Sequence, residues 1–180
     1  MNVKKEVEIR AYVPSPELVL SKCTDIREYT LKDKFYKPIC KSILEWDPKY
    51  VSMRIRDFGG EKKSLIYSKS RYKGRIKESE KITLHEGSMS ELEQMLESWG
   101  FEHLFDIVRE KGYFLKHEGK DFAMEKIVGL GWMVDIDIKE GENPRDILGG
   151  LGIGVECMIE ESLASLFYNK YYKDRKGLDK

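Results

Sequence analysis

The chain opens on a strict alternation of charged and apolar positions. In Glu6-Val7-Glu8-Ile9-Arg10 every second residue is charged and the residues between are β-branched. A period of two is that of a strand, so Glu6, Glu8 and Arg10 share one face while Val7 and Ile9 share the other. The pattern returns with changing sign. Arg54 and Arg56 flank Ile55; Tyr67, Lys69 and Arg71 alternate with Ile66, Ser68 and Ser70; Glu78 and Glu80 follow Arg75; Arg109, Lys111 and Tyr113 alternate; Asp135 and Asp137 flank Ile136.

Between these strands the period lengthens to that of helices. Ser15-Pro16 places proline at a first helical position, with Leu18 to Ile26 following. Ser88-Met89-Ser90-Glu91 has the spacing of a capping box, Leu92, Met95, Leu96 and Trp99 form one apolar stripe, and Gly100 ends it. Asn143-Pro144 starts another helix carrying Ile147, Leu148 and Leu151. Residues 5 to 37 and 79 to 115 each read strand, helix, strand, followed by a further charged segment. That internal echo predicts a duplicated unit whose halves face each other across one lumen.

The strands can turn their charges outward, as on the wet face of an ordinary antiparallel sheet, or inward. Inward charges require the sheet to close around a polar lumen with helices covering the outside. Arginine and lysine in such a lumen would hold phosphate oxygens, arginine as a fork and lysine as a point charge. Carboxylates beside them would repel phosphate unless a hard cation such as Mg²⁺ or Mn²⁺ lay between. Mixed signs on one surface therefore point to a metal-dependent polyphosphate site, although no Walker loop is present.

Composition narrows this further. With 180 residues the chain fits one domain, residues 1–180, with a sizeable core. Its 32 basic and 32 acidic residues cancel, so there is no global field to draw nucleic acid or an anionic membrane, and neither is expected as a partner. Cys23, Cys40 and Cys157 have no paired spacing, which argues against a disulfide framework or a zinc site. His85, His103 and His117 fit no metal spacing. No signal-peptide core opens the chain and no stretch approaches the roughly 20 apolar residues of a membrane span. The expectation is a soluble protein of the reducing cytoplasm, with its oligomeric state unread.

The segments together resemble the CYTH superfamily, the triphosphate tunnel metalloenzymes that include class IV adenylate cyclases and thiamine triphosphatases. Glu6 to Arg10 is similar to the family's E-x-E-x-K, and Arg54-Ile55-Arg56 to its R-x-R. Tyr67 to Lys69 resembles Y-K with one residue inserted, Arg75 to Glu80 resembles R-x-x-E-x-E, and Arg109-Glu110-Lys111 resembles an inverted K-x-R. Met124 to Asp137 looks like L-D-x-V-x-G-L-G-x-F-x-E-x-E, and Glu161 to Leu166 resembles a later S-Y-x-x-L-L element. The likeness runs over residues 5 to 166.

That resemblance implies an α+β, mainly β fold: a closed eight-stranded antiparallel barrel forming an open tunnel, with helices packed outside. It puts metal ligands at Glu6, Glu8, Glu125, Asp135 and Asp137, for Mg²⁺ or Mn²⁺. Catalytic positions fall on Arg10 and Lys69, and triphosphate contacts on Arg54, Arg56, Arg75, Arg109 and Lys111. The implied partner is a small molecule carrying a triphosphate, and the implied activity is hydrolysis of the terminal phosphate of an organic or inorganic triphosphate. The alternatives are a class IV-type cyclase converting ATP to cyclic AMP and pyrophosphate, or a non-catalytic polyphosphate or nucleotide binder.

Three departures bear on this. The family lysine is Arg10, which is always protonated and cannot act as a general base. The family's D-x-Y-F reads Asp33-Lys34-Phe35-Tyr36. Aspartate at 135 and 137 shortens both carboxylate arms by a methylene. Met1 to Lys5 also lacks the histidine that the resembling cyclases carry before this run, which favours hydrolysis over cyclisation. The segment from Asn169 to Lys180, with Lys170, Lys173, Arg175, Lys176 and Lys180 among Tyr171 and Tyr172, is expected to be a solvated terminus.

Overall fold

The computed structural model describes residues 2–172. Its elements run β1 (Asn2–Tyr12), α1 (Pro16–Ser21), β2 (Thr24–Pro38), β3 (Val51–Asp57), β4 (Lys63–Lys73), β5 (Ile76–Gly87) and α2 (Met89–Ser98). They continue through β6 (Phe101–His117), β7 (Lys120–Ile127), β8 (Gly131–Asp137), α3 (Pro144–Gly150), β9 (Met158–Ile159) and α4 (Leu163–Tyr171).

Eight antiparallel strands close on themselves in the order β5-β4-β3-β2-β6-β7-β8-β1, with β1 pairing back onto β5 and the short β9 added beside β1. Closure leaves the eight strands without a free edge. The order reads the same when β1 to β4 are exchanged with β5 to β8. The expected duplication is thus present as a two-fold arrangement, in which each half lends its first strand to the other half's sheet. The two lent strands meet, with Glu8 opposite and paired to Lys77 and Glu6 paired to Lys81, so acids of one half meet bases of the other.

Where the outward faces are apolar they carry the helices. Met53, Ile55 and Leu65 on β3 and β4 pack under Leu92 and Leu96 of α2, all at most 6% exposed. Burying each of these two leucines contributes about 1.5–3 kcal/mol. Ile9 and Ala11 of β1 pack with Val19 of α1 and Leu148 and Leu151 beside α3. Caps mark three helix starts: Ser88 Oγ accepts from the Glu91 amide at 3.3 Å, Asn143 Oδ1 from Arg145 at 3.0 Å, and Ser162 Oγ from Ser165 at 3.0 Å.

Two helix expectations are corrected. The first helix stops at Ser21, and Ile26 lies in β2, exposed, after Asp25 takes a left-handed φ of 52°. Trp99 caps α2 rather than extending its stripe, and remains 50% exposed because Gly100, at φ 75°, already turns the chain away. Of the basic C-terminal segment, Lys173, Arg175, Lys176 and Lys180 lie outside the described residues. Lys170 and Tyr171 both donate to the Gly129 carbonyl.

The lumen is open at one end and covered at the other. On the inward faces, Phe35 follows Asp33, Ile107 and Phe105 precede Arg109, Ile127 follows Glu125, and Met133 precedes Asp135, each at a spacing of two. These apolar residues cluster with Leu163 and Ala164 at the start of α4, which also line the cavity. The tunnel expected from the sequence has a floor.

Candidate active site in the barrel lumen

The cavity above that floor measures about 420 Å³, within the size range of small-molecule sites. Its walls differ in sign, and the opposition follows from strand order: β3 lies four strands from β8, and β2 four from β1.

One wall belongs to β1, β8 and β5. Alternation in β1 sends Glu6, Glu8 and Arg10 inward, and the pairing of Glu8 with Asp137 brings a third carboxylate alongside. Carboxylate oxygens of Glu6, Glu8 and Asp137 lie within 4.8 Å of one another. Glu8 accepts from Lys77 Nζ at 2.5 Å and lies 3.6 Å from Lys81, while Glu6 pairs with Lys81 and, at 2.7 Å, with Lys4. Burial would raise the Glu8 carboxyl, yet Lys77, Lys81 and Arg10 hold it well below the usual carboxylate range. Asp137 shows the opposite: burial, then Glu6 and Glu8, push it up. Its carboxylate has no ion-pair partner within 4.0 Å among the described residues. Burial, with Arg10 and Lys81, holds the Lys77 ammonium below its ordinary value despite Glu8.

The other wall belongs to β2, β3 and β6. Asp33, 1% exposed, sits among three guanidinium groups. Arg56 forks onto it with contacts of 2.9 and 2.8 Å, Arg109 Nη1 donates at 2.7 Å, and Arg54 Nε lies 3.7 Å away. Burial opposes the ionised form of Asp33, and Arg109 and Arg56 overcome it, so its carboxyl stays far below the ordinary value. One carboxylate cannot saturate three forks. Arg54 is left with contacts of 3.4 Å to Ser52 and Ser68 and a buried Nε lacking a hydrogen-bond partner. Its pKa is lowered to about 10 by burial and by Arg56. A buried guanidinium with an unpaired N–H is costly unless an acceptor meets it, so the chemistry of this wall suits an anion.

Glu125, on β7 between the walls, and Asp135, on β8 of the first wall, are each occupied by other side chains. Glu125 accepts from Tyr29 Oη at 2.6 Å and from Arg109 Nε at 3.2 Å. Asp135 is held by Arg10. Tyr29 reaches across because residue 112 is glycine: a Cβ there would stand 2.6 Å from the tyrosine ring.

Three expected site residues lie outside the lumen. Lys69 is exposed, because pairing of Arg54 with Ile66 and Ser52 with Ser68 turns the even positions of β4 inward. Arg75 follows the turn at Gly74, φ 58°, and donates to the Val155 carbonyl at 2.9 Å. Lys111 is displaced by a bulge: Arg109 pairs with Ile127 but Lys111 with Lys126, and the extra residue rotates Lys111 toward Glu28 on the outer surface. Lys77 and Lys81 on β5 line the lumen in their place, two and six residues beyond the Arg75 that the motif reading chose. Asp33 and Tyr29 were also missed as site residues, although Arg27, Tyr29, Leu31, Asp33 and Phe35 form a period-two run that could have revealed them. No histidine or cysteine lines this cavity.

No family model and no curated protein sequence matches the chain. Solved structures do match over nearly its whole length. A protein from Pyrococcus horikoshii OT3 superposes with a TM-score of 0.68 at 18% identity, over 93% of this chain and 99% of that one. A candidate adenylate cyclase from Vibrio parahaemolyticus gives 0.62 at 12% identity, over 90% and 97%. A candidate adenylyl cyclase from Hippeastrum, described as having a dominant triphosphatase activity, gives 0.62 at 17% identity, over 92% and 96%. These likenesses establish the fold: a closed eight-stranded tunnel barrel of the kind the resemblance to the CYTH superfamily implied. No described helix is long and apolar enough to cross a membrane.

Proposed function

We propose that this protein is a metal-dependent triphosphate-processing enzyme that hydrolyses the terminal phosphate of its substrate. The observation carrying this reading is the opposition of two walls in one cavity, Arg54, Arg56 and Arg109 across from Glu6, Glu8 and Asp137. A chain of phosphates needs several fixed cations, and carboxylates tolerate it only with a hard cation between.

The carboxylate set fits such a cation. Glu6, Glu8 and Asp137 would hold Mg²⁺ or Mn²⁺ through oxygen donors, and the uncompensated Asp137 marks where positive charge is lacking. When bound, the ion supplies charge neutralisation on phosphate oxygens as the leaving group departs. Lys81, which bridges Glu6 and Glu8, must yield part of that contact.

The chain's own residues do the positioning. Arg54, Arg56 and Arg109 present forks to the phosphate oxygens, and Asp33 keeps those forks pre-aligned before substrate arrives. Lys77 and Lys81 add point charges from the facing wall. In hydrolysis the oxygen of water bonds to the terminal phosphorus, the bond to the bridging oxygen breaks, that oxygen leaves with the electron pair, and the water's proton passes to a phosphate oxygen or to solvent. Arg10 cannot accept the water's proton, since Asp135 holds its guanidinium even more firmly charged than usual. The triphosphatase activity described for the Hippeastrum protein supports hydrolysis over cyclisation.

The test is incubation with ATP, thiamine triphosphate and tripolyphosphate, each with Mg²⁺ or Mn²⁺, followed by product chromatography. Orthophosphate with a diphosphate product is expected. Cyclic nucleotide with pyrophosphate would establish the cyclase instead, and unchanged substrate throughout would leave only a binder.

A further inference from the structure

The open mouth of the cavity carries a group of side chains that phosphate chemistry does not call for. Phe58 and Phe114 are 50% and 40% exposed, yet both line the cavity together with Tyr29 and Arg27. Tyr29 stacks on Phe114 with centroids 4.3 Å apart and planes at 22°, and its ring lies 5.8 Å from that of Phe58. Arg27 sits over the Phe114 ring at 5.8 Å, and Arg56 over Phe58 at 6.0 Å. Isolated exposed phenylalanines need no explanation, but contiguous rings on the rim of a charged cavity do.

The position of this shelf is fixed by the barrel. The start of β2 and the ends of β3 and β6 meet at the open end, the one away from α4. Tyr29 also ties the shelf to the cation wall, because its hydroxyl donates to Glu125, whose other oxygen accepts from Arg109. A ligand with phosphates against Arg54, Arg56 and Arg109 would therefore carry its other end onto these rings.

We infer that the substrate is an organic triphosphate bearing a planar heteroaromatic ring, which stacks on Phe58 and Phe114 while its terminal phosphate points toward the floor. This rests on the triphosphate reading above. Stacking on aromatic faces is available to any flat heterocycle, and Arg27 and Arg56 add guanidinium planes beside the rings. Inorganic tripolyphosphate would fill the cationic part of the cavity and leave the shelf bare.

The experiment is calorimetric titration of the full chain with tripolyphosphate, ATP, UTP and thiamine triphosphate, for the native protein and for Phe58→Ala/Phe114→Ala. The double change is expected to weaken binding of at least one ring-bearing ligand tenfold or more while tripolyphosphate changes less than twofold. Phe58→Trp should retain or tighten the ring-bearing ligand. Which of the three is held most tightly by the native protein identifies the ring. Equal losses for tripolyphosphate and the ring-bearing ligands, or no loss for any, would overturn the shelf while leaving the triphosphate site standing. Absence of binding to all four would remove both.

Discussion

Arg10 grips Asp135 at two points, Nε to Oδ1 at 2.6 Å and Nη2 to Oδ2 at 2.7 Å. A residue placed by the motif in a catalytic role and one placed among the metal ligands thus satisfy each other. Arg10→Lys replaces that fork with a point charge in a cavity already holding Lys77 and Lys81. The expected outcome is a KM raised about tenfold with no gain in kcat. Steady-state kinetics decides, and a raised kcat would instead give position 10 a role in activating water.

Asp137 offers the cleanest test of the metal site. Glu8 neutralises the half-buried Lys77, so removing it strands that cation. Asp137, by contrast, makes no ion pair within 4.0 Å among the described residues, and burial with the repulsion of Glu6 and Glu8 outweighs the attraction of Lys4 and Lys81. Asp137→Asn should therefore raise Tm in the absence of divalent metal and abolish the further rise that Mg²⁺ or Mn²⁺ gives the native protein. Thermal melts with and without the ion measure both effects.

Asp33→Asn removes the counter-charge of three arginines. Breaking such a buried pair costs about 3–5 kcal/mol, read by denaturant titration. Sulfate or tripolyphosphate should recover much of that loss by taking the vacated place, while sodium chloride at equal ionic strength should not.

Acid should unfold the barrel through Asp33 and Glu8. Both carboxyls are held below their unfolded values of about 4. Their contribution is therefore complete above about pH 4 and is lost as pH falls toward the folded values. Urea titrations at pH 7, 5, 4 and 3 should show stability falling mainly across the last interval, and less steeply in Asp33→Asn.

Tripolyphosphate with Mg²⁺ should stabilise the native chain by about 2.7 kcal/mol at 100 times its dissociation constant. A melting series against ligand concentration checks this, and a flat series would remove the phosphate site.

How much of this was legible beforehand depended on the phase of alternation. Glu6, Glu8, Arg10, Arg54 and Arg56 lie on regular strands, where residues two apart share a face, so that once one member of such a set is in the lumen the others follow. Arg109 and Lys111 look equivalent in sequence, and only the bulge between them separates lumen from surface. On β5 the acids Glu78 and Glu80 lie on the outer face, while Lys77 and Lys81 point in. No local pattern encodes which phase faces the lumen, since that is set by partner strands far away in sequence. The floor was invisible for the same reason: the inward faces turn apolar at Phe35, Ile107, Ile127 and Met133 only where α4 arrives to cover them.

The exchange of first strands between the halves has a consequence for assembly. β5 completes the sheet begun by β2, β3 and β4, and β1 completes that of β6, β7 and β8. Neither repeat is self-sufficient: each would present an unpaired edge and leave lysines or carboxylates without their counter-ions. Cutting the chain at Gly74 should thus yield two fragments that are unstructured apart and recover the barrel when mixed.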